Sequence, residues 1–331
     1  MSERPYSAEA EQLERAIFEV KKVIVGQDRA IERLMVCLLA GGHALLEGVP
    51  GLAKTLAAET LATVVGGTFA RLQFTPDLLP ADVMGTRIYR ASSETFDVEL
   101  GPVFVNFVLA DEINRAPAKV QSALLEVMAE HQVSIGGKTF PVPEPFLVLA
   151  TQNPIESEGT YDLPEAQVDR FLFKLVVDYP AVEDEIAVVD RVSVETPTAH
   201  RTVEIRELPE HQRAAREVFA DRSTIAYAVA LADATRNPGR YGLADLAPLI
   251  QFGASPRASL GLTQAGRALA LLRGRTHVTH QDMRDLAPDV LRHRLVLSYD
   301  ALADGVQPDE LIERLLDAVE PARTVRLAEA A

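Results

Sequence analysis

Near the start of the chain, apolar residues recur at helical spacing. Leu13, Ile17, Val20 and Ile24, then Ile31, Leu34 and Leu38, follow the i, i+3/i+4, i+7 rhythm that lays one stripe against a core. Gly26 parts the two runs, so the stretch from Ala8 to Ala40 predicts two amphipathic helices. After them the period changes. Short apolar runs alternate with helical stretches: HALLEG, LAAETLATVV, TFARLQF, VNFVLADE, AKVQSALLEVMAEH, FLVLATQNP and FLFKLVV. Strands that alternate with helices argue for a parallel sheet covered on both faces, an α/β fold. Between the fifth and sixth of these runs, VSIGGKTFPV reads as a hairpin turning on Gly136 and Gly137.

The pattern shifts again from Val194 to His211, where proline and polar residues replace the apolar runs and suggest a linker. Beyond it only helical periods recur, through Arg213–Ala234, Ser255–Leu272 and Thr279–Leu291, with Thr279 and Asp282 spaced as a capping box. The expected organisation is therefore an α/β core over 1–196, a linker over 197–210 and a helical domain over 211–331.

Composition narrows the choice of partners. At 331 residues and 47% hydrophobic content the chain can bury two cores. Its net charge of −15, with no basic cluster, would repel a phosphate backbone or an anionic membrane, so neither nucleic acid nor membrane insertion is expected. The single cysteine, Cys37, sits in the apolar run LMVCLLA and reads as a small buried hydrophobe; one cysteine permits no disulfide within the chain. The start MSERPYSAEAEQ lacks an apolar signal core, which points to the cytoplasm. His43, His277, His280 and His293 lack a complete ligand set at metal spacing and are taken as structural or solvated.

The chemistry begins at LLEGVPGLAKTLAAET, Leu45 to Thr60, which nearly spells G-x-x-x-x-G-K-[ST] but has Ala53 in place of the last glycine. In such a loop consecutive backbone N–H groups wrap a phosphate at the positive end of the following helix. Leu45 and Leu46 end a buried strand, Gly48, Val49, Pro50 and Gly51 make the turn, and a helix opens at Thr55. Lys54 would pair with the β- and γ-phosphates and the Thr55 hydroxyl would complete a Mg²⁺ shell. Ala53 suits the position on condition that its backbone is near helical angles, since a methyl group is penalised where φ is positive.

A second buried strand, Phe107 to Ala110, delivers Asp111 and Glu112 to its carboxyl end, where ligands of open α/β sheets sit. Asp111 would hold Mg²⁺ and Glu112 would act as general base on the attacking water; the plain alternative is a solvated acidic pair. A third strand ends at Asn153, which either orients that water or simply begins a turn with Pro154. Arg170 precedes the last strand, where an arginine by itself is a solvated charge. In GASPRASLG, Ser255 can cap a helix, Pro256 suits its first turn, and Arg257 projects from the helix start, within reach of a phosphate or simply exposed.

In this order the motifs resemble the AAA+ ATPases and, within them, the MoxR family, over nearly the whole length. VIVGQDRAIERLMVCLLAGGHALLEGVPGLAKT is similar to the family's first helices and Walker A loop, which commonly carries alanine at the position of Ala53. RLQFTPDLLPADVMG is similar to its most specific stretch, and GPVFVNFVLADEINRAPAKVQSALLEVM to its Walker B strand and following helix. ATQNPIESEGTYDLPEAQVDRF is similar to the sensor 1 and arginine-finger region, GASPRAS to sensor 2, and GRTHVTHQDMRDLAPDVLRHRL to the lid helices.

The resemblance implies an αβα P-loop core with a parallel five-stranded sheet and a C-terminal all-helical lid, an insertion over Thr75 to Tyr89, and a hairpin over Val133 to Val142. It implies ATP and Mg²⁺ as cofactors, with Val25 near adenine, a loop of Gly48, Val49, Pro50, Gly51, Leu52, Ala53, Lys54, Thr55 and Leu56, and Thr55 and Asp111 at the metal. Glu112, Asn153, Arg170 and Arg257 fall on the catalytic positions, with Arg115 a second candidate for reaching a neighbouring site. It further implies a hexameric ring of identical subunits and a chaperone-like ATPase that remodels, activates or assembles partners, often proteins with a von Willebrand factor A domain. Other readings are a nucleotide-dependent scaffold with little turnover, a magnesium-chelatase-like motor subunit, and a DNA-remodelling motor, against which stands a hairpin offering only Lys138.

Overall fold

The computed structural model describes residues 7–92, 94–154, 161–194 and 197–321. Residues 155–160 of the stretch resembling sensor 1, both ends of the expected core (1–6 and 195–196) and the end of the expected helical domain (322–331) lie outside the described residues. The chain divides into two compact units, one built from residues 12–171 and 175–209, the other from 7–11, 172–174 and 210–321.

Two helices, α1 (Ser7–Val23) and α2 (Asp28–Ala40), flank Gly26, whose φ of 74° suits a residue without a side chain. Then β1 (Ala44–Glu47), α3 (Lys54–Val64) and β2 (Phe69–Gln73) follow, and an insertion made of α4 (Pro80–Met84), β3 (Gly85–Arg90) and β4 (Thr95–Leu100). The chain continues through β5 (Phe107–Asp111), α5 (Ala118–Glu130), the hairpin of β6 (Gln132–Ile135) and β7 (Lys138–Pro141), and β8 (Leu147–Gln152). A short α6 (Glu165–Val168), β9 (Phe173–Val176) and α7 (Val182–Val194) complete this part.

The main sheet is five-stranded and parallel, in the order β2-β5-β8-β1-β9. Its central strands are apolar up to their carboxyl ends because helices cover both faces: Phe107 to Ala110 and Leu147 to Ala150 are all buried. At the edge, β2 alternates, and its polar residues Arg71 and Gln73 stand exposed at the carboxyl end. The expected hairpin turns on Gly136 and Gly137, both with positive φ (57° and 82°), as a two-residue hairpin turn requires.

Two expectations change. The insertion runs past Tyr89: β3 pairs antiparallel with β4 through Leu100. The presumed linker is packed, with Val203 buried and the N–H groups of Thr202 and Val203 donating to Val64 O at 2.9 and 3.2 Å.

In the other unit the period expected over Arg213–Ala234 is two helices, α8 (Leu208–Glu217) and α9 (Arg222–Arg236); Asp221 caps the second by accepting from Thr224 N at 2.6 Å. They are followed by α10 (Pro256–Leu272), α11 (His280–Leu291), α12 (Tyr299–Ala303) and α13 (Pro308–Ala318). Thr279 and Asp282 form the expected capping box on α11. This otherwise helical unit also holds one short antiparallel pair, β10 (Ile250–Phe252) with β11 (Val296–Leu297), too short to announce itself by alternation. Among the described residues no helix is long and apolar enough to cross a membrane.

Candidate nucleotide site

Between β1 and α3 the chain turns through residues 48–53. Gly48 fits because a Cβ there would fall 2.5 Å from Val177 O, and its N–H donates to Gln152 O at the end of β8. Gly51 follows with φ of 87°, and Leu52 is buried beneath the loop. Ala53 departs from the expectation. Its φ of 54° and ψ of 21° are left-handed, not helical, so the side chain sits where a methyl group costs about 1–2 kcal/mol. Its carbonyl nevertheless starts α3, accepting from Ala57 N at 2.8 Å.

Lys54 is half-buried and donates to Gly48 O across its own loop. Burial pulls its proton affinity below that of an ordinary lysine, while Asp111, Glu112 and Glu47 act in the opposite direction. The ammonium and the acids of the neighbouring strand ends therefore share one electrostatic environment. The first turn of α3 carries no acidic residue, and Thr55 and Leu56 follow there, Leu56 exposed. Val25 lies half-buried between α1 and α2.

Asp111 ends β5 and is held from both sides. Its Oδ1 accepts from Thr151 Oγ1 at 2.6 Å; its Oδ2 accepts from Arg71 Nη2 at 2.6 Å and Nε at 3.0 Å. Thr151 is buried on β8, and its hydroxyl also accepts from Glu112 N at 2.8 Å, so one hydroxyl fixes both acids. Glu112 has φ of 55° and its Oε2 receives Gln73 Nε2 at 2.8 Å and Arg115 Nη1 at 3.1 Å. Sequence alone does not mark Arg71, Gln73 and Thr151 as partners of these acids. Only strand register discloses them, since Gln73 lies beside Asp111 in the β2–β5 pairing.

Asn153 is buried one residue past β8, on the same sheet edge. Arg170 stands apart from these groups: it is exposed, and its Nη1 donates to Leu125 O of α5 at 2.8 Å. Arg257 belongs to the other unit, exposed in the first turn of α10, where Ser255 caps the helix by accepting from Arg257 N at 3.2 Å. Among the described residues no group of three or more His, Cys, Asp or Glu is placed to hold a metal ion. His43 is buried and neutral in its bonding, its Nδ1 accepting from Val148 N at 3.0 Å and its Nε2 donating to Met128 O at 3.1 Å.

A five-stranded parallel sheet with a lysine-bearing glycine loop after β1, acids ending β5 and a helical companion unit defines a AAA+ ATPase. The model of the ATPase family associated with various cellular activities matches residues 43–173, and that of the AAA lid domain matches residues 244–315. Chaperone MoxR1 of Mycobacterium tuberculosis is 60% identical over 95% of this chain and 83% of its own length. Protein MoxR of Methylorubrum extorquens is 32% identical over 91% of this chain and 92% of its own. A crystal structure of a protein from Cytophaga hutchinsonii assigned as an ATPase superposes with a TM-score of 0.89 at 47% identity, covering 95% of this chain and 96% of that one. The chain belongs to the MoxR family of AAA+ ATPases.

Proposed function

We propose that this protein hydrolyses ATP in the cytoplasm and spends the cycle on remodelling, activating or assembling a partner protein. The observation that carries the reading is the convergence of Lys54, Asp111 and Glu112 at the carboxyl edge of β1 and β5, with Thr151 fixing both acids. In this account the loop N–H groups from Gly48 to Ala53 and the start of α3 take the β-phosphate, and Lys54 leaves the Gly48 carbonyl for the β- and γ-oxygens. Val25 would contact the adenine, as the family resemblance implies.

The donor set also suits Mg²⁺. Thr55 and Asp111 would be the two protein ligands, which is enough for an ion that keeps waters and takes phosphate oxygens as well, and Arg71 would release Asp111 Oδ2. When bound, the ion neutralises charge on the phosphate oxygens. Glu112 accepts the proton of the attacking water while Asn153 orients that water. Gln73 and Arg115 set where the Glu112 carboxylate stands.

Arg170 is tied to its own α5, so its phosphate is proposed to be a neighbour's, in a hexameric ring of identical subunits. A finger supplied in trans makes turnover depend on assembly. Arg257 would stabilise the same charge from the lid. The proposed partner class is a protein with a von Willebrand factor A domain, as the family resemblance implies.

The test is phosphate release by wild type and Glu112→Gln. Glu112→Gln should still bind ATP while turnover falls about 10²–10⁴-fold, the usual contribution of a general base. Unchanged turnover would remove Glu112 from the mechanism, and no wild-type turnover with or without partner would leave a scaffold.

A further inference from the structure

Gln121 is a fully buried polar side chain on α5. Its Nε2 donates to three main-chain carbonyls: Ile113 O at 3.2 Å, Ala116 O at 3.1 Å and Tyr161 O at 3.1 Å. An amide oxygen in that place would face three oxygens, so the bonding itself fixes which way the carboxamide points. With two N–H groups for three acceptors, one N–H is shared.

Two of these carbonyls belong to the turn behind the acids. Ile113 to Arg115 form one 3-10 turn after Glu112, and Ala116 closes it. Glu112 enters that turn at φ of 55° and ψ of 49°, a left-handed conformation that persists where the surroundings hold it. Thr151 holds the front of the turn through Glu112 N, and Gln121 holds the stretch that follows through residues 113 and 116. Between these anchors, Arg115 N donates to Glu112 O at 2.9 Å and Arg115 Nη1 to Glu112 Oε2 at 3.1 Å. The aim of the Glu112 carboxylate therefore depends on where this turn is pinned.

The third carbonyl leads to another segment. Tyr161 is bonded on both sides, its carbonyl to Gln121 and its N–H to Asn114 O of the turn at 2.6 Å. Further along, Gln167 Nε2 donates to Ser122 Oγ at 2.9 Å and Arg170 Nη1 to Leu125 O at 2.8 Å, so residues 161–170 are tied to α5 at three places. One carboxamide fastens both the turn that carries Glu112 and the start of the segment that ends in Arg170.

We propose that Gln121 is a positioning residue for hydrolysis: it holds the turn that aims Glu112 and sets residues 161–170 in register with that turn. The proposal rests on the hydrolytic reading above, and Gln121 acts in it through Glu112. Its hydrogen-bond partners lie outside the phosphate loop, so its loss should slow the chemical step and leave nucleotide binding intact.

The experiment compares the full wild-type chain with Gln121→Met, which keeps the length of the side chain and removes its donors. In Gln121→Met, kcat for phosphate release should fall about 10- to 100-fold, the scale of a small misplacement at a catalytic group. The Kd for ATP with magnesium, read by calorimetry, should stay at the wild-type value. Hydrogen exchange read by mass spectrometry should quicken over residues 112–117 and 161–165 and stay unchanged over 48–56. Gln121→Glu is the second variant, decisive where a thermal melt shows Gln121→Met unfolded. A buried carboxyl facing carbonyls favours its protonated form, which keeps one O–H donor, so its kcat relative to wild type should fall as rising pH removes that proton. An unaltered kcat in folded Gln121→Met, a flat pH ratio in Gln121→Glu, or a joint loss of kcat, ATP affinity and exchange protection across the whole unit overturns the positioning role. Wild-type turnover separates the two readings. Turnover that Gln121→Met retains overturns the role of Gln121 alone, whereas no wild-type turnover, with the same two segments exchanging faster in Gln121→Met, overturns the hydrolytic reading and keeps the anchor.

Discussion

Ala53 shows how a residue's conformation can be imposed by its neighbours. The loop must leave Gly51 and enter α3 within two residues, and closing it places residue 53 at φ of 54° whatever stands there. Ala53→Gly should relieve that strain and raise stability by about 1 kcal/mol in chemical denaturation; no gain would mean the loop relaxes around the methyl group. The placement of Lys54 after β1 and of Asp111 and Glu112 at the end of β5 is legible because loop spacing and a strand ending in acids are local signals. Thr151 is not, because its partners Asp111 and Glu112 reach it only through the β5–β8 pairing. Thr151→Val keeps the shape but leaves Glu112 N–H without its acceptor, so it should cost about 1–3 kcal/mol in denaturation and lower turnover. Unaltered stability and turnover would show that the hydroxyl is dispensable.

At the scale of elements, the buried strands could be read directly, since Phe107 to Ala110 and Leu147 to Ala150 have no polar residue to hide. The β3–β4 hairpin could not. Its residues are nearly all exposed, no Asn-Gly or Gly-Gly turn marks it, and a strand without a buried face leaves no hydrophobic pattern to find. His43 joins three elements: it precedes β1, donates to the carbonyl of Met128 in α5 and accepts from Val148 of β8. Burial pushes its imidazole down to about 4, against an ordinary value near 6.5. Between those values the unfolded chain binds a proton that the folded one does not, so stability should fall as pH drops from about 6.5 to about 4. The loss attributable to His43 is about 3 kcal/mol. Denaturation midpoints of wild type and His43→Gln across this window should diverge in slope, with the variant flatter; parallel slopes would place the acid sensitivity elsewhere.

At the scale of the whole molecule, the change of period in the sequence falls where the strands of the parallel sheet give way to a mostly helical stretch. The packing of residues 197–209 is not legible there, because Val203, Ile205 and Leu208 are scattered through a polar stretch and the bonds to Val64 are made by backbone. Arg170 belongs to this scale, since its proposed substrate is on another subunit. Arg170→Ala and Glu112→Gln subunits, each inactive alone, should recover part of the phosphate release when mixed, because each supplies what the other lacks. Silence in properly mixed assemblies would count against action in trans. Beneath all of this stands the claim that the carboxyl edges of β1, β5 and β8 form a triphosphate site. Isothermal titration with ATP and magnesium tests it directly. Wild type should give a saturable heat that disappears in Lys54→Ala, and no heat in wild type, or the same heat in Lys54→Ala, would contradict a triphosphate site at this sheet edge.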